Sequence, residues 1–286
     1  MLSLWVIACA APAPAPALTS TSAPPTSPPT SPPPTLAAPL AATATPGSGG
    51  ALVQAALGNL SKTLHPYPDS ASYTQGWIDV AALIWGGADG GGALLAFDWD
   101  ALDYRPAMAR EMPQVSSDGK TYTFALRDDL KWSDGSPLTA EDFQFAYDQA
   151  SREDNGYVQF NLLQDVATYR TPDRQTVQVS LKEARPRPVA LGLVNVITPV
   201  PKKVWSGRSW TDPATNPEIL SPSVVLGPFG VQEFKAERGV FVPVDSFYAG
   251  KPRIPRVEIL ANQQPAAAFE SLTSGRANWV HALPPD

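Results

Sequence analysis

The stretch from Ser117 to Ala150, SDGKTYTFALRDDLKWSDGSPLTAEDFQFAYDQA, dictates its own local structure almost residue by residue. Ser117-Asp118-Gly119 is a turn, because Asp bonds to its own backbone and Gly takes positive φ without steric cost. From Thr121 to Arg127 the side chains alternate: Tyr122, Phe124 and Leu126 on one side, Thr121, Thr123, Ala125 and Arg127 on the other. That period of two, rich in aromatic and β-branched residues, predicts a half-buried strand. Ser133-Asp134-Gly135 turns the chain again, and Pro137 stiffens the approach to Thr139. Thr139 predicts a helix N-cap, with Asp142 closing the capping box where Glu is usual. Glu141 and Asp142 also sit at the positive end of the helix dipole. Phe143, Ala146, Tyr147 and Ala150 then share one helical face.

Charge locates the part of the chain that can fold. No Asp, Glu, Lys or Arg precedes Lys62. Residues 10–50 are almost entirely Ala, Pro, Ser and Thr, with a Pro-Pro-Thr-Ser repeat at 24–34. Proline fixes φ and removes hydrogen-bond donors, so this segment reads as an extended tether. The net charge of −6 and the absence of any Lys/Arg run exclude nucleic acid as a partner. No apolar run after residue 9 reaches the roughly 18 to 20 residues of a membrane span. The single cysteine, Cys9, excludes an internal disulfide. It follows the apolar run Met1 to Ala8, and Val6-Ile7-Ala8-Cys9 resembles a bacterial lipobox, in which the cysteine is the site of lipid attachment. Acyl chains there would hold the protein on a membrane. The basic start of a signal peptide is missing, so a start codon further upstream is expected.

Enzymatic motifs fail on inspection. Gly119-Lys120-Thr121 lacks the upstream glycine of a P-loop, since position 114 is Gln. No serine has glycine at both −2 and +2, which excludes a nucleophile elbow. Asp98, Asp100 and Asp103 lack the Gly and closing Glu of a calcium loop. Asp128-Asp129, being adjacent, read as a solvated turn rather than a catalytic pair. The two histidines, His65 and His281, have no cluster of Cys or acid beside them, so no metal site and no cofactor is expected.

Leu126 to Phe143, with Trp132, Asp134, Gly135, Pro137, Thr139 and Asp142 in register, resembles the signature segment of family 5 solute-binding proteins, the peptide- and nickel-type binding proteins of bacterial ABC importers. The resemblance extends over about residues 52–286. Ala51 to Leu57 reads as a short buried strand leading to Leu64-His65-Pro66, which stands for the family's Leu-Asp-Pro. In the family the backbone just before that motif lines the ligand cleft, which implies Asn59, Leu60 and Ser61 here. Asp79 to Trp85 predicts a helix, and Trp85-Gly86-Gly87 stands at a ligand-facing loop of the family, ahead of a glycine-rich stretch through Gly92. Pro106 to Met112, Thr198 to Trp205, Leu226 to Phe229 and Phe247 to Pro252 match further family motifs. Between them, 161–168 reads as the end of a helical region and Thr171 to Arg174 as a turn into the strand Thr176–Leu181. Val189 to Ile197 is a buried apolar run, Arg256 to Leu260 a strand, and Ala266 to Gly275 a helix in which Asn278 replaces the family's following Asp.

The resemblance implies an α/β, periplasmic-binding-protein-like type II fold of two lobes, represented here mostly by the first and incomplete. Three segments are expected: a lipoprotein signal-like piece at 1–9, a tether at 10–50, and the N-terminal part of a binding domain at 51–286. The implied function is capture of a small solute, a short peptide foremost, by a monomeric extracytoplasmic receptor. It would be anchored to the membrane by lipid and would deliver the solute to ABC permease subunits. Two other readings are weighed against it: a secreted hydrolase module on a Pro/Thr linker, and a truncated copy that no longer binds.

Overall fold

The alternating and capped segments resolve into strands and helices in the computed structural model, which describes residues 50–57, 60–87, 92–262 and 264–280. In chain order these are β1 (Leu52–Leu57), α1 (Gln75–Ile84), β2 (Leu95–Asp98), β3 (Asp103–Pro106), β4 (Gln114–Val115), β5 (Thr121–Ala125) and α2 (Ala140–Ala150). There follow α3 (Phe160–Leu163), β6 (Val166–Asp173), β7 (Thr176–Leu181), α4 (Arg187–Val194) and α5 (Lys202–Trp205). The last group is β8 (Phe229–Lys235), β9 (Arg238–Pro243), β10 (Val257–Asn262), α6 (Pro265–Thr273) and β11 (Trp279–Val280).

Two sheets carry the fold. A mixed sheet runs β11-β1-β10-β9-β8, with β1 pairing in parallel to both β10 and β11, from Leu52 opposite Val257 to Leu57 opposite Asn262. An antiparallel sheet runs β4-β5-β7-β6, and β2 with β3 forms a separate hairpin. One apolar core joins the two sheets, reaching from Phe124, Val177 and Val179 on the antiparallel sheet to Phe241, Val257 and Ile259 on the mixed one. A smaller cluster of Ala55, Ala268 and Ala277 seats α6 against β1. The capped helix α2 buries Ala140, Phe143, Ala146 and Ala150, with Tyr147 half-buried at the edge of that face. No helix among the described residues is long and apolar enough to cross a membrane.

Several elements differ from the sequence expectation, each for a physical reason. Helix α1 begins at Gln75 rather than Asp79, because the Thr74 hydroxyl caps it by accepting the Trp77 N–H at 3.2 Å. The helical region expected over 161–168 is a single turn. Val166 and Thr168 already pair with Leu181 and Ser180, so the ladder with β7 overrides local preference. Strand β6 continues to Asp173, and the turn is narrower than expected, with the Asp173 carboxylate accepting the Gln175 N–H at 2.8 Å. The apolar run at 189–197 is not buried throughout: most of it is the helix α4, opened by proline in its first turn, where the missing N–H costs nothing, and Val189 lies on its exposed side while Ala190, Leu191, Leu193 and Val194 are buried. The β2–β3 hairpin had no forecast at all. The aspartates around it are turn-formers: Asp98 accepts the N–H groups of Asp100 and Ala101 at 3.0 Å each, and Asp103 pairs with Arg187 at 2.6 Å.

Candidate functional site

Helix α1 supplies the first wall of a cavity of about 480 Å³. Its inner face buries Val80, Ala81 and Ile84, and its last turn is closed by Trp85, whose backbone N–H bonds back to the Ala81 carbonyl at 2.8 Å. Gly86 and Gly87 then both take positive φ, +83° and +55°, and turn the chain away from the helix. Backbone from 226–227 locks this corner: the N–H groups of Leu226 and Gly227 both donate to the Ile84 carbonyl, at 3.1 and 2.7 Å. The two tryptophans of α1 reach across to the preceding segment, Trp77 Nε1–H donating to the His65 carbonyl at 2.9 Å and Trp85 Nε1–H to the Leu64 carbonyl at 2.7 Å. Pro66 and Pro68, Phe97 and Tyr104 of the β2–β3 hairpin, Tyr157, and Asn195 after α4 complete the surround.

Beneath this wall lies a caged histidine. The His65 ring sits edge-on to Trp210 and Trp205, with ring centres 4.7 and 5.0 Å away, and its Nδ1 accepts the Tyr67 N–H at 2.8 Å. Burial drives its pKa down to about 3, more than the Trp210 backbone and the Asp69 charge can restore, so the ring is neutral with its proton on Nε2. The Tyr67 hydroxyl donates in turn to the carbonyl of Thr198, a residue that lines the cavity. A neutral, packed imidazole of this kind belongs to the core beside the cavity and is not placed to ligate a metal. Among the described residues no group of three or more His, Cys, Asp or Glu side chains is arranged to hold one.

The Trp132–Asp142 segment forms a different structure. Trp132 is almost fully buried, and Gly135, at φ +79°, closes a turn in which its N–H donates to the Trp132 carbonyl at 2.9 Å. Asp142 is buried, and three segments converge on its carboxylate. Thr139 N–H (2.9 Å) and Trp132 Nε1–H (3.3 Å) donate to one oxygen, and Lys202 N–H (3.0 Å) donates to the other. Burial raises the Asp142 pKa, only partly offset by these donors. The Ser133 hydroxyl accepts from Val225 N–H at 2.9 Å and the Ser246 hydroxyl donates to the Trp132 carbonyl at 2.9 Å. The segment thus ties α2 and α5 to the strand-entry loops of the mixed sheet.

Residues 103–286 match the family described as bacterial extracellular solute-binding proteins, family 5 Middle. The chain belongs to this family. Family 5 proteins bind solutes for transport and are not enzymes, and the fold is that of the type II periplasmic binding proteins, as the α/β expectation had it. A Brucella ovis protein named as a candidate ABC transporter peptide-binding protein is 32% identical over 171 residues, covering 59% of this chain and 32% of its own length. Among solved family-like structures, the oligopeptide-binding protein AppA from Bacillus subtilis, in complex with a nonapeptide, superposes with a TM-score of 0.70 at 18% identity. That match covers 82% of this chain and 44% of AppA. NikZ from Campylobacter jejuni, in complex with Ni(L-His), gives 0.64 at 22% identity, covering 79% and 42%. The chain therefore spans about a third of the curated relative it matches and under half of the solved chains.

The residues implied by the resemblance divide into four groups. Trp85, Gly86 and Gly87 come together on the cavity wall. Leu60 and Ser61 do not: Leu60 is core, and the Ser61 hydroxyl is folded back on Thr63, donating to its carbonyl and accepting its N–H at 3.1 Å. Asn59, Cys9 and Gly90 lie outside the described residues. None of Trp132, Asp134, Gly135, Pro137, Thr139 and Asp142 lines the cavity; they are the tie described above. Sequence reasoning missed Pro66, Pro68, Tyr73 and Trp77 as wall residues, although the density of rings between 66 and 77 was a legible signal of an apolar surface.

Proposed function

We propose that this chain is the solute-capturing part of an ABC importer: an extracytoplasmic receptor that takes a short peptide against the wall formed by Trp85, Gly86 and Gly87 and passes it to a permease. The carrying observation is the cavity of about 480 Å³ at the end of α1, a volume in the range of small-ligand sites, on a family 5 scaffold. In the full-length protein a second lobe would close over this wall by a hinge motion coupled to ligand affinity. Peptide backbone would pair in the manner of strand addition, with pockets for its side chains. Residues 51–286 act as the binding domain, 10–50 as the tether, and 1–9 as the signal-like segment ending at Cys9, through which lipid holds the monomer on the membrane.

A thermal-shift screen of the full chain tests this, using pooled short peptides, sugars and nickel–histidine as separate ligands. A ligand at a hundred times its Kd adds about 2.7 kcal/mol, which raises Tm by about 5–10 °C for a domain of this size. A shift with peptides alone is the expected result. A shift with sugar or nickel–histidine but not peptides reassigns the solute, and no shift with any of them overturns the receptor reading in favour of a copy that does not bind.

A further inference from the structure

The cavity wall is chemically one-sided. Among the described residues that line it there is no Asp, Glu, Lys, Arg or His. The polar atoms that do line it are largely engaged with the protein itself. The indole N–H groups of Trp77 and Trp85 are held by the carbonyls of His65 and Leu64. Asn195 uses both ends of its amide on Leu95, accepting its N–H at 2.7 Å and donating to its carbonyl at 2.8 Å. The Tyr157 hydroxyl donates to the Gln159 side-chain carbonyl at 2.7 Å. Beside the Gln159 amide and the Thr198 hydroxyl, what remains for a visitor is mainly ring faces and aliphatic surface, and three large apolar side chains of this one wall, Tyr73, Ile78 and Leu162, are about 40% exposed. A charged group entering this space would lose its hydration and meet no counter-ion among the described wall residues.

We propose that the cavity receives an uncharged aromatic or branched aliphatic side chain of the solute, and that it selects by refusing charge. This rests on the peptide-binding reading above and assigns the specificity of that site. Apolar burial of one such side chain is enough for about a tenfold or greater preference.

The test uses the full chain and the pentapeptides Ala-Ala-X-Ala-Ala with X = Phe, Leu, Lys or Glu, titrated by calorimetry. The uncharged single residue N-acetyl-phenylalaninamide and its lysine counterpart are titrated in parallel with tryptophan fluorescence as readout. Phe and Leu peptides are expected to bind at least about tenfold more tightly than Lys or Glu. Ala82 is exposed and lies on the wall, so Ala82→Asp should bring the Lys peptide level with or ahead of the Phe peptide. The wild-type ranking should persist in Asp89→Asn, which removes the one carboxylate of residues 88–91, outside the described residues. Peptides that bind without preference overturn the charge-refusal proposal and leave the receptor reading standing. If N-acetyl-phenylalaninamide binds, its lysine counterpart does not, and no peptide binds, the pocket proposal holds and the peptide reading falls. If none of the six ligands binds, both fall.

Discussion

His65, which the resemblance sets at the family's aspartate, lies in surroundings that suit a neutral ring. An aspartate would bring charge into a cage of Trp205, Trp210 and Tyr67, whereas the neutral imidazole keeps one acceptor for the Tyr67 N–H and offers its edge and faces to the rings. The consequence is a pH signature. The folded ring titrates near 3 and the unfolded one near 6.5, so between those values the unfolded chain binds a proton that the folded chain refuses. Stability then falls as the pH drops, by about 1.4 kcal/mol per unit from this residue alone, or about 2 kcal/mol between pH 7 and pH 5. Asp142 acts in the opposite direction, its raised pKa favouring proton uptake by the folded state. Urea unfolding of the wild type and His65→Asn at pH 7 and pH 5 separates the two: the variant should lose about 2 kcal/mol less over that interval. Equal losses would mean that His65 is not held neutral. The identity of Thr139 and Asp142 as cap partners was readable from spacing. That Asp142 also holds Lys202 was not, because that contact joins residues sixty positions apart.

At the scale of elements, what was legible follows from locality. The strand Thr121–Ala125 and the helix Ala140–Ala150 are fixed by alternation, turns and a cap, all within a few residues of one another. Strand β6 and helix α1 were misjudged at their ends because a ladder with β7 and a cap at Thr74 decided them. The cavity corner shows the same division. Gly227 looks in sequence like any glycine of a tight turn, yet a Cβ there would lie 2.3 Å from the Leu83 carbonyl oxygen and 2.7 Å from the Ile84 carbonyl carbon. Gly227→Ala must therefore push α1 away from residues 226–227, with an expected loss of about 2–3 kcal/mol and weaker solute binding, since Trp85, Gly86 and Gly87 move with the helix. Gly135→Ala is the control. That position has positive φ but open space, so its cost should be only about 1 kcal/mol with solute affinity unchanged. Chemical denaturation and ligand titration of both variants check the pair, and equal effects on binding would dissociate the 226–227 clamp from the site.

At the scale of the molecule, the first fifty residues are read from chemistry alone. If Cys9 carries lipid, the full gene expressed in bacteria fed radiolabelled palmitate should yield a labelled, membrane-associated protein, and Cys9→Ser should abolish the label while the 51–286 domain still folds. Label retained in the variant would place the attachment elsewhere. The mixed sheet adds a constraint of a different kind. Strand β1 stands between β10 and β11, and its partners are made roughly 200 residues after it. At about 5–20 residues per second, a growing chain carries this apolar strand unpaired for about 10–40 s before Val257 is even synthesised. The mixed sheet therefore closes last, after the antiparallel sheet β4-β5-β7-β6, all of whose strands lie between residues 114 and 181.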